Sequence, residues 1–382
     1  MYQIAIKMLV GDKLKYLGLI IGIAFAAMLI SQQASIFVGL TRQTGAFIRD
    51  SSQADLWLMD PQVRFSQDSI PIRDTMVSLA RGTDGVAWAV PSLQLFTRAK
   101  MPDGTRFTVT MVGIDDASLT GAPPKMLQGR LEDLRRDRAA IIDGQTASTK
   151  LMMLRGGGRP MQVGDRFSIN DHEVEVVGSY EGRRSFFWQP VIYTTYSRAL
   201  AMSPPERHLM SFVFIKLKPD ADLETVRRSL QERTKLKAIT TDEFVNATAE
   251  YILNETGILV NFGLAVLLGV IIGALVAGQT FYNFTLDNLR HYGALKAMGV
   301  SDARLTRMVI LQAALVGVLG YGIGIGLGAG LGLLIVKAGL AFTMVWQIPL
   351  ITLAAVMLVS VAAVWLSLRR VFTVEPAIVF KT

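Results

Sequence analysis

Four stretches of this chain, 17–40, 257–283, 308–336 and 345–368, contain no Asp, Glu, Lys or Arg. Each is long enough to cross the roughly 30 Å hydrocarbon core of a bilayer as a helix. Lipid offers no partner to an open backbone N–H or C=O, so runs of this kind are predicted to be helices. The expected fold is a polytopic α-helical membrane protein with four transmembrane helices, and the placement of the remaining residues follows from theirs.

Residues 41–256 lie between the first and second spans and are too many for a linker. They carry 28 basic against 27 acidic residues, whereas residues 1–16, 284–307 and 369–382 together carry ten basic and four acidic ones. An excess of Lys and Arg beside span ends marks the cytoplasmic side. The net charge of +8 is therefore a topology signal, not a nucleic-acid surface. With four spans both termini are cytoplasmic, residues 41–256 lie outside, and 337–344 is a short outer loop. The first 16 residues read as an interfacial helix. The apolar run that follows continues to Leu40 without a cleavage context, so it is a retained anchor.

The outer region alternates β-formers at 55–59, 107–112, 167–170, 174–177 and 211–217, with Asn170-Asp171 as a hairpin turn. Helices are expected near 70–81, 145–153, 222–236 and 241–256. The mixture predicts a large α+β domain of two lobes, the inserted one at about 118–190. Thr240-Thr-Asp-Glu243 is a capping-box pattern, and its helix is expected to run unbroken into the second span. With the outer half of span one, it would form stalks to the domain.

Residues 284–307 form a cytoplasmic polar stretch between two spans. Leu289, Tyr292, Leu295 and Lys296 recur at helical spacing and Gly299 precedes a new start at Ser301-Asp302, which predicts helix, glycine break, helix. Such a knob is suited to pass a push from a cytoplasmic partner into the membrane. In span three, glycine occupies every second position from Gly320 to Gly332. Gly320, Gly324, Gly328 and Gly332 share one helical face and Gly322, Gly326 and Gly330 the opposite one, so both faces are expected to admit neighbouring helices closely. Gly324-Ile-Gly326-Leu-Gly328-Ala329 fits a dinucleotide fingerprint in letters, but it lies inside an uncharged run with no strand before it.

Catalytic chemistry has little to work with. Cysteine is absent, and His172, His208 and His291 have no ligand spacing. Gly144-Gln-Thr-Ala-Ser-Thr-Lys150 lacks the glycine before lysine that a phosphate loop needs. No intramembrane ionisable group offers a proton path. No cofactor or metal site is expected in this chain. Arg183, Arg184, Phe186, Phe187 and Trp188 form a loop that is either an exposed partner contact or aromatic cover beneath a lobe.

The order of these parts resembles the MacB, LolC/LolE and FtsX group of permeases (type VII ABC transporters), and within it the DevC-type permeases. The resemblance rests on Gly22-Ile-Ala-Phe-Ala26, Ala54-Asp-Leu-Trp-Leu58, Leu127-Gln-Gly-Arg130, Val163-Gly-Asp165, Val176-Val-Gly178, His291-Tyr-Gly-Ala-Leu-Lys-Ala-Met-Gly299 and Glu375-Pro-Ala-Ile-Val-Phe-Lys381. The group often has an acidic residue where His291 stands. The resemblance implies a non-catalytic permease in the bacterial inner membrane, paired with a second copy as a homodimer. ATP and Mg would be bound by a partner ABC ATPase, and a periplasmic adaptor (membrane fusion protein) and outer-membrane channel would complete an exporter. Asp287, Arg290, His291, Tyr292, Leu295, Lys296, Met298 and Gly299 become the expected ATPase contact. The rival implications are an FtsX-like scaffold regulating a periplasmic hydrolase and a LolC/LolE-like lipoprotein extractor, with a membrane-anchored enzyme as a third.

Overall fold

In the computed structural model, four helices among the described residues are long and apolar enough to cross a membrane, and they cover the four uncharged runs apart from a few residues at their ends. The structure describes residues 2–51, 53–123, 125–152, 158–183, 186, 189–204 and 209–372. In chain order the elements begin with α1 (Tyr2–Gly11), α2 (Lys13–Thr44), α3 (Ala46–Asp50), β1 (Leu56–Met59), α4 (Thr75–Arg81), β2 (Val86–Lys100), β3 (Arg106–Ile114) and β4 (Met126–Gln128). A 3₁₀ turn (Leu131–Arg135), β5 (Ala139–Asp143), α5 (Gly144–Ala147), β6 (Arg166–Ile169), β7 (His172–Tyr180), β8 (Val191–Thr195) and α6 (Tyr196–Ala201) follow. Next come β9 (Phe212–Leu217), α7 (Leu223–Thr234), β10 (Lys237–Thr240) and α8 (Thr241–Glu255). The last four are α9 (Ile258–Asp287), α10 (Leu289–Ala297), α11 (Asp302–Lys337) and α12 (Gln347–Phe372). They divide into two units, Met1–Leu40 with Gly257–Thr382, and Thr41–Thr256.

The helical unit is built on missing side chains. A Cβ at Gly320 would stand 2.7 Å from Ile23 Cγ2, and one at Gly324 would strike the Ala24 carbonyl oxygen and come within 2.6 Å of Ala27 Cβ. Gly328 meets Ser31 in the same way, and Gly332 lies under the Phe342 ring. From the other side, a Cβ at Gly273 of α9 would stand 2.5 Å from Ala26 Cβ. Helix α2 is thus seated between the glycine faces of α9 and α11, where backbones approach without side chains between them. The opposite row, Gly322, Gly326 and Gly330, has nothing within 4 Å of a built Cβ. Of the two faces expected to admit neighbouring helices, only one meets a helix among the described residues, because alternating glycines place the rows on opposite sides.

The inserted unit contains two strand systems that share β2. The first half of β2 pairs antiparallel with β9 up to Ser92–Phe212, and β9 continues through β1 to β10. Helices α4 and α7 contribute Val77, Ala80, Val226 and Leu230 to the core on one side of these strands. Trp57, Phe212 and Phe214 pack on the other side with Phe47 of α3 and Phe244 of α8. From Leu93 onward β2 pairs with β3 instead. The path then runs β3 to β8, β8 to β5, β5 to β7, β7 to β6 and, through Ala99–Ile169 and Lys100–Ser168, back to β2. This second lobe is a closed six-stranded barrel. Its interior is filled by Leu93, Leu95, Val109, Met111, Ile142, Val176 and Ile192. Closure leaves no free edge along its wall.

The barrel starts at Leu93, upstream of the 118–190 stretch, because one long strand serves both lobes. The capping box forms as expected, with Thr240 Oγ1 accepting from Glu243 N at 3.2 Å and Glu243 Oε2 accepting from Thr240 N at 2.8 Å. The helix it starts does not run on into the second span. It ends at Glu255, and Gly257 at φ +67° begins α9 from a left-handed conformation that no helix interior adopts. The expected Asn170-Asp171 turn is present, with φ of 47° and 65°.

Candidate coupling site

Helix α10 is closed by its own sequence. Gly299 adopts φ +87°, and Val300 N donates to Leu295 O at 3.1 Å while Gly299 N donates to Lys296 O at 3.0 Å. That pattern satisfies the last carbonyls and turns the chain back toward α11. Val300 packs against the helical core beside it. Lys296 Nζ then meets Asp302 Oδ1 at 3.0 Å, pinning the end of α10 to the start of α11. Such a ring of local constraints makes the segment a rigid knob rather than a loose loop.

The eight expected contact residues separate into three groups. Tyr292 and Leu295 are buried in the core of their own unit, together with Phe281, Phe284, Leu305 and Met308. They do not offer their side chains to a partner, which corrects the expectation that they fill an ATPase cleft. Helical spacing marks an apolar face but not what it faces, and here the membrane unit itself takes that face. Asp287 is engaged with Lys15, and Lys296 with Asp302. Arg290, His291, Met298 and Gly299 remain exposed, Met298 at 72%.

Gln312 of α11 was missed in the sequence, being one amide in an apolar run. It is fully buried. Its Nε2 donates to Ala5 O of α1 at 2.8 Å, and its Oε1 accepts from the Tyr292 hydroxyl at 3.4 Å. One side chain thus joins α1, α10 and α11. The hidden side of the knob is locked to the helices, and its open side carries a cation, an imidazole and a flexible thioether. A surface of this kind suits a protein cleft that must hold the knob and pull on it.

The other expected contact, the loop after β7, is placed at a joint of the inserted domain. Arg183 is exposed, yet its backbone N donates to Asp50 Oδ2 at 3.2 Å and its Nε lies 3.4 Å from Asp50 Oδ1. Burial lifts Asp50 to about 6, with the Arg183 N–H and guanidinium pulling the other way. Phe186 is half-buried; Arg184, Phe187 and Trp188 lie outside the described residues. The weak phosphate-loop pattern resolves as α5. Its first N–H groups, of Gln145 and Thr146, already donate to the Asp143 carboxylate, so an anion has no open donors there.

Residues 16–233 match the family model of the MacB-like periplasmic core domain, and residues 258–376 that of the FtsX-like permease C-terminal region. The periplasmic region of MacB from Actinobacillus actinomycetemcomitans is 16% identical, with 55% of this chain and 97% of that chain covered at a TM-score of 0.40. The extracellular domain of the noncanonic ABC-type transporter YknZ from Gram-positive bacteria is 17% identical, with 49% of this chain and 98% of that chain covered at 0.35. No curated protein matches the chain significantly. The matched regions take in the first span, most of the inserted domain and the three later spans with the knob between them, and on that basis the chain belongs to the MacB-like, FtsX-like permeases of ABC transporters.

Proposed function

We propose that this chain is the permease of an exporter of the MacB/DevC kind, passing ATP-driven motion from a separate ATPase through α10 to the inserted domain. The observation that carries the reading is the two-sided character of α10, held inside by Tyr292, Leu295 and Gln312 and open outside at Arg290, His291 and Met298. In this reading the protein works in a bacterial inner membrane as a homodimer, with both termini cytoplasmic and residues 41–256 in the periplasm. ATP and Mg sit on the ATPase, and this subunit performs no catalysis. A periplasmic adaptor receives the motion and feeds an outer-membrane channel.

A pull-down from membranes tests the reading. Met298→Ala with Arg290→Ala should lower recovery of the ATPase about tenfold or more, because exposed contacts at the centre of an interface dominate its affinity. The same double variant should keep its adaptor and its thermal stability. Loss of the adaptor with the ATPase retained would place the knob on the wrong side of the membrane. Undiminished recovery of both would remove α10 as the contact.

A further inference from the structure

On the outer wall of the barrel, Phe96, Arg98 and Lys100 follow one another along the exposed face of β2, and Arg106 and Thr108 lie beside them on β3. Lys100 is the direct cross-strand partner of Arg106, and Arg98 that of Thr108. Like charges placed directly opposite on neighbouring strands repel at a separation of about 5 Å, so the row opposes the hairpin that carries it. Among the described residues none of Arg98, Lys100 and Arg106 forms an ion pair, whereas Glu173 and Glu175 on the same wall are taken by Arg138 and Arg166. Phe96, 39% exposed, sits at the head of the row. A depression of about 620 Å³ opens beside Lys100 and is lined also by Arg166, Asp103 and Glu173, so the free positive charge lies along the strand row rather than in the depression.

We propose that this basic row on the barrel wall is a docking surface for an extended acidic protein segment. Side chains two apart on a strand are about 7 Å apart, so Arg98 and Lys100 match carboxylates at alternate positions of an extended chain. The guanidinium planes of Arg98 and Arg106 supply paired donors for carboxylates. Arginine beside an exposed aromatic is the composition that anchors protein interfaces. The register of a closed barrel holds the row in place, so little ordering is needed on binding. The row belongs to the inserted domain, and the proposal does not depend on how α10 is used.

The test uses the full chain in phosphatidylcholine nanodiscs and a fluorescein-labelled octapeptide alternating glutamate with threonine. Anisotropy should report binding that weakens with salt, and Arg98→Glu with Arg106→Glu should weaken it about a hundredfold, near tenfold per reversed charge. Arg98→Gln with Arg106→Gln should give an intermediate loss, which separates charge from misfolding. Arg73→Glu, at another exposed cation, should leave binding unchanged. Equal binding by the reversed variant, or equal binding of a lysine-threonine octapeptide, would overturn the proposal. Displacement of the octapeptide by phosphatidylglycerol vesicles, acting through the same residues, would also overturn it by making the row a lipid-reading surface.

Discussion

Trp57 and Gly324 are the two extremes of how this chain buries itself. In the inserted domain the close contacts are made by the largest side chains. Trp57 is fully buried with ring centroids of Phe47, Phe212, Phe214 and Phe244 between 4.5 and 6.2 Å away. In the helical unit the close contacts are made where side chains are absent, as at Gly324 against Ala24 and Ala27. Water explains the difference. Burying a large aromatic is strongly favourable only when water is the alternative. For spans already in lipid the gain comes from packing backbone against backbone. The outer domain should therefore suffer most from losing atoms and the helices most from gaining them.

The largest expected effect is on the aromatic side. Trp57→Ala should cost about 3–5 kcal/mol, because it empties the middle of a core shared by both strand systems and leaves Thr241 without the indole N–H it accepts at 3.2 Å. Thermal unfolding of the full chain, followed by tryptophan fluorescence and limited proteolysis, should show the inserted domain opening first. An unchanged melting profile would mean that the aromatic cluster contributes no more than any surface patch.

Glycine gives the reverse experiment. Gly324→Leu should cost about 3 kcal/mol, at the upper end for overpacking, because the new side chain meets backbone rather than a flexible tip. Gly326→Leu, two residues along with nothing within 4 Å, should stay within about 0.5 kcal/mol. Thermal stability and monodispersity in detergent would read both. Equal damage from the pair would show that the second row also has a partner, and would restore the two-faced packing expected from the alternation.

The same contrast explains what the sequence made legible. Spans were readable because lack of charge over a bilayer's thickness is a local property, and the capping box at Thr240 and the Asn170-Asp171 turn are local as well. The barrel was not readable, since its closure rests on Ala99–Ile169 and Lys100–Ser168, pairs far apart in the chain. The lobe boundary was displaced for the same reason, as one strand changes partner between Ser92 and Leu93 with no break in its pattern. At the coupling site the helix and its glycine stop were legible. The direction of the apolar face was not, and neither was Gln312, whose meaning depends on Ala5 and Tyr292.

Each unit also buries polar exceptions to its packing, Asp50 in the inserted domain and Gln312 in the helices among them, and Asp50 should respond to pH. Asp50 is 6% exposed, and its carboxyl is lifted from the ordinary 3.8 to about 6. A raised carboxyl pKa means that the folded state holds the proton more tightly. Its contribution is fully present below about pH 4 and is lost as pH rises through about 6. Asp50→Asn should remove that slope and, near neutral pH, stabilise the inserted domain by about 2–3 kcal/mol, the opposing pull of Arg183 already being contained in the value of about 6. Melting temperatures of both proteins between those limits decide it. Parallel curves would mean that Asp50 is already neutral, or already fully paired, throughout.

The smallest expected effect concerns Gln312 in the helical unit, which the hydroxyl of Tyr292 reaches at 3.4 Å. Tyr292→Phe keeps the buried ring and removes only that donor. A long hydrogen bond between neutral groups should cost about 1 kcal/mol, most of it from leaving the amide oxygen of Gln312 buried without a donor. Gln312→Met should cost more, because it also strips the 2.8 Å bond to Ala5 O and so frees α1. The double variant should cost less than the sum, by about 0.5–1 kcal/mol, since the second change removes a partner already lost. ATPase recovery in the pull-down should remain at the parental level in Tyr292→Phe, because the exposed residues Arg290, His291 and Met298 are untouched. Strictly additive stabilities would show that the two side chains do not act as one link, and α10 would then be held by apolar packing alone, like the glycine-lined helices around it.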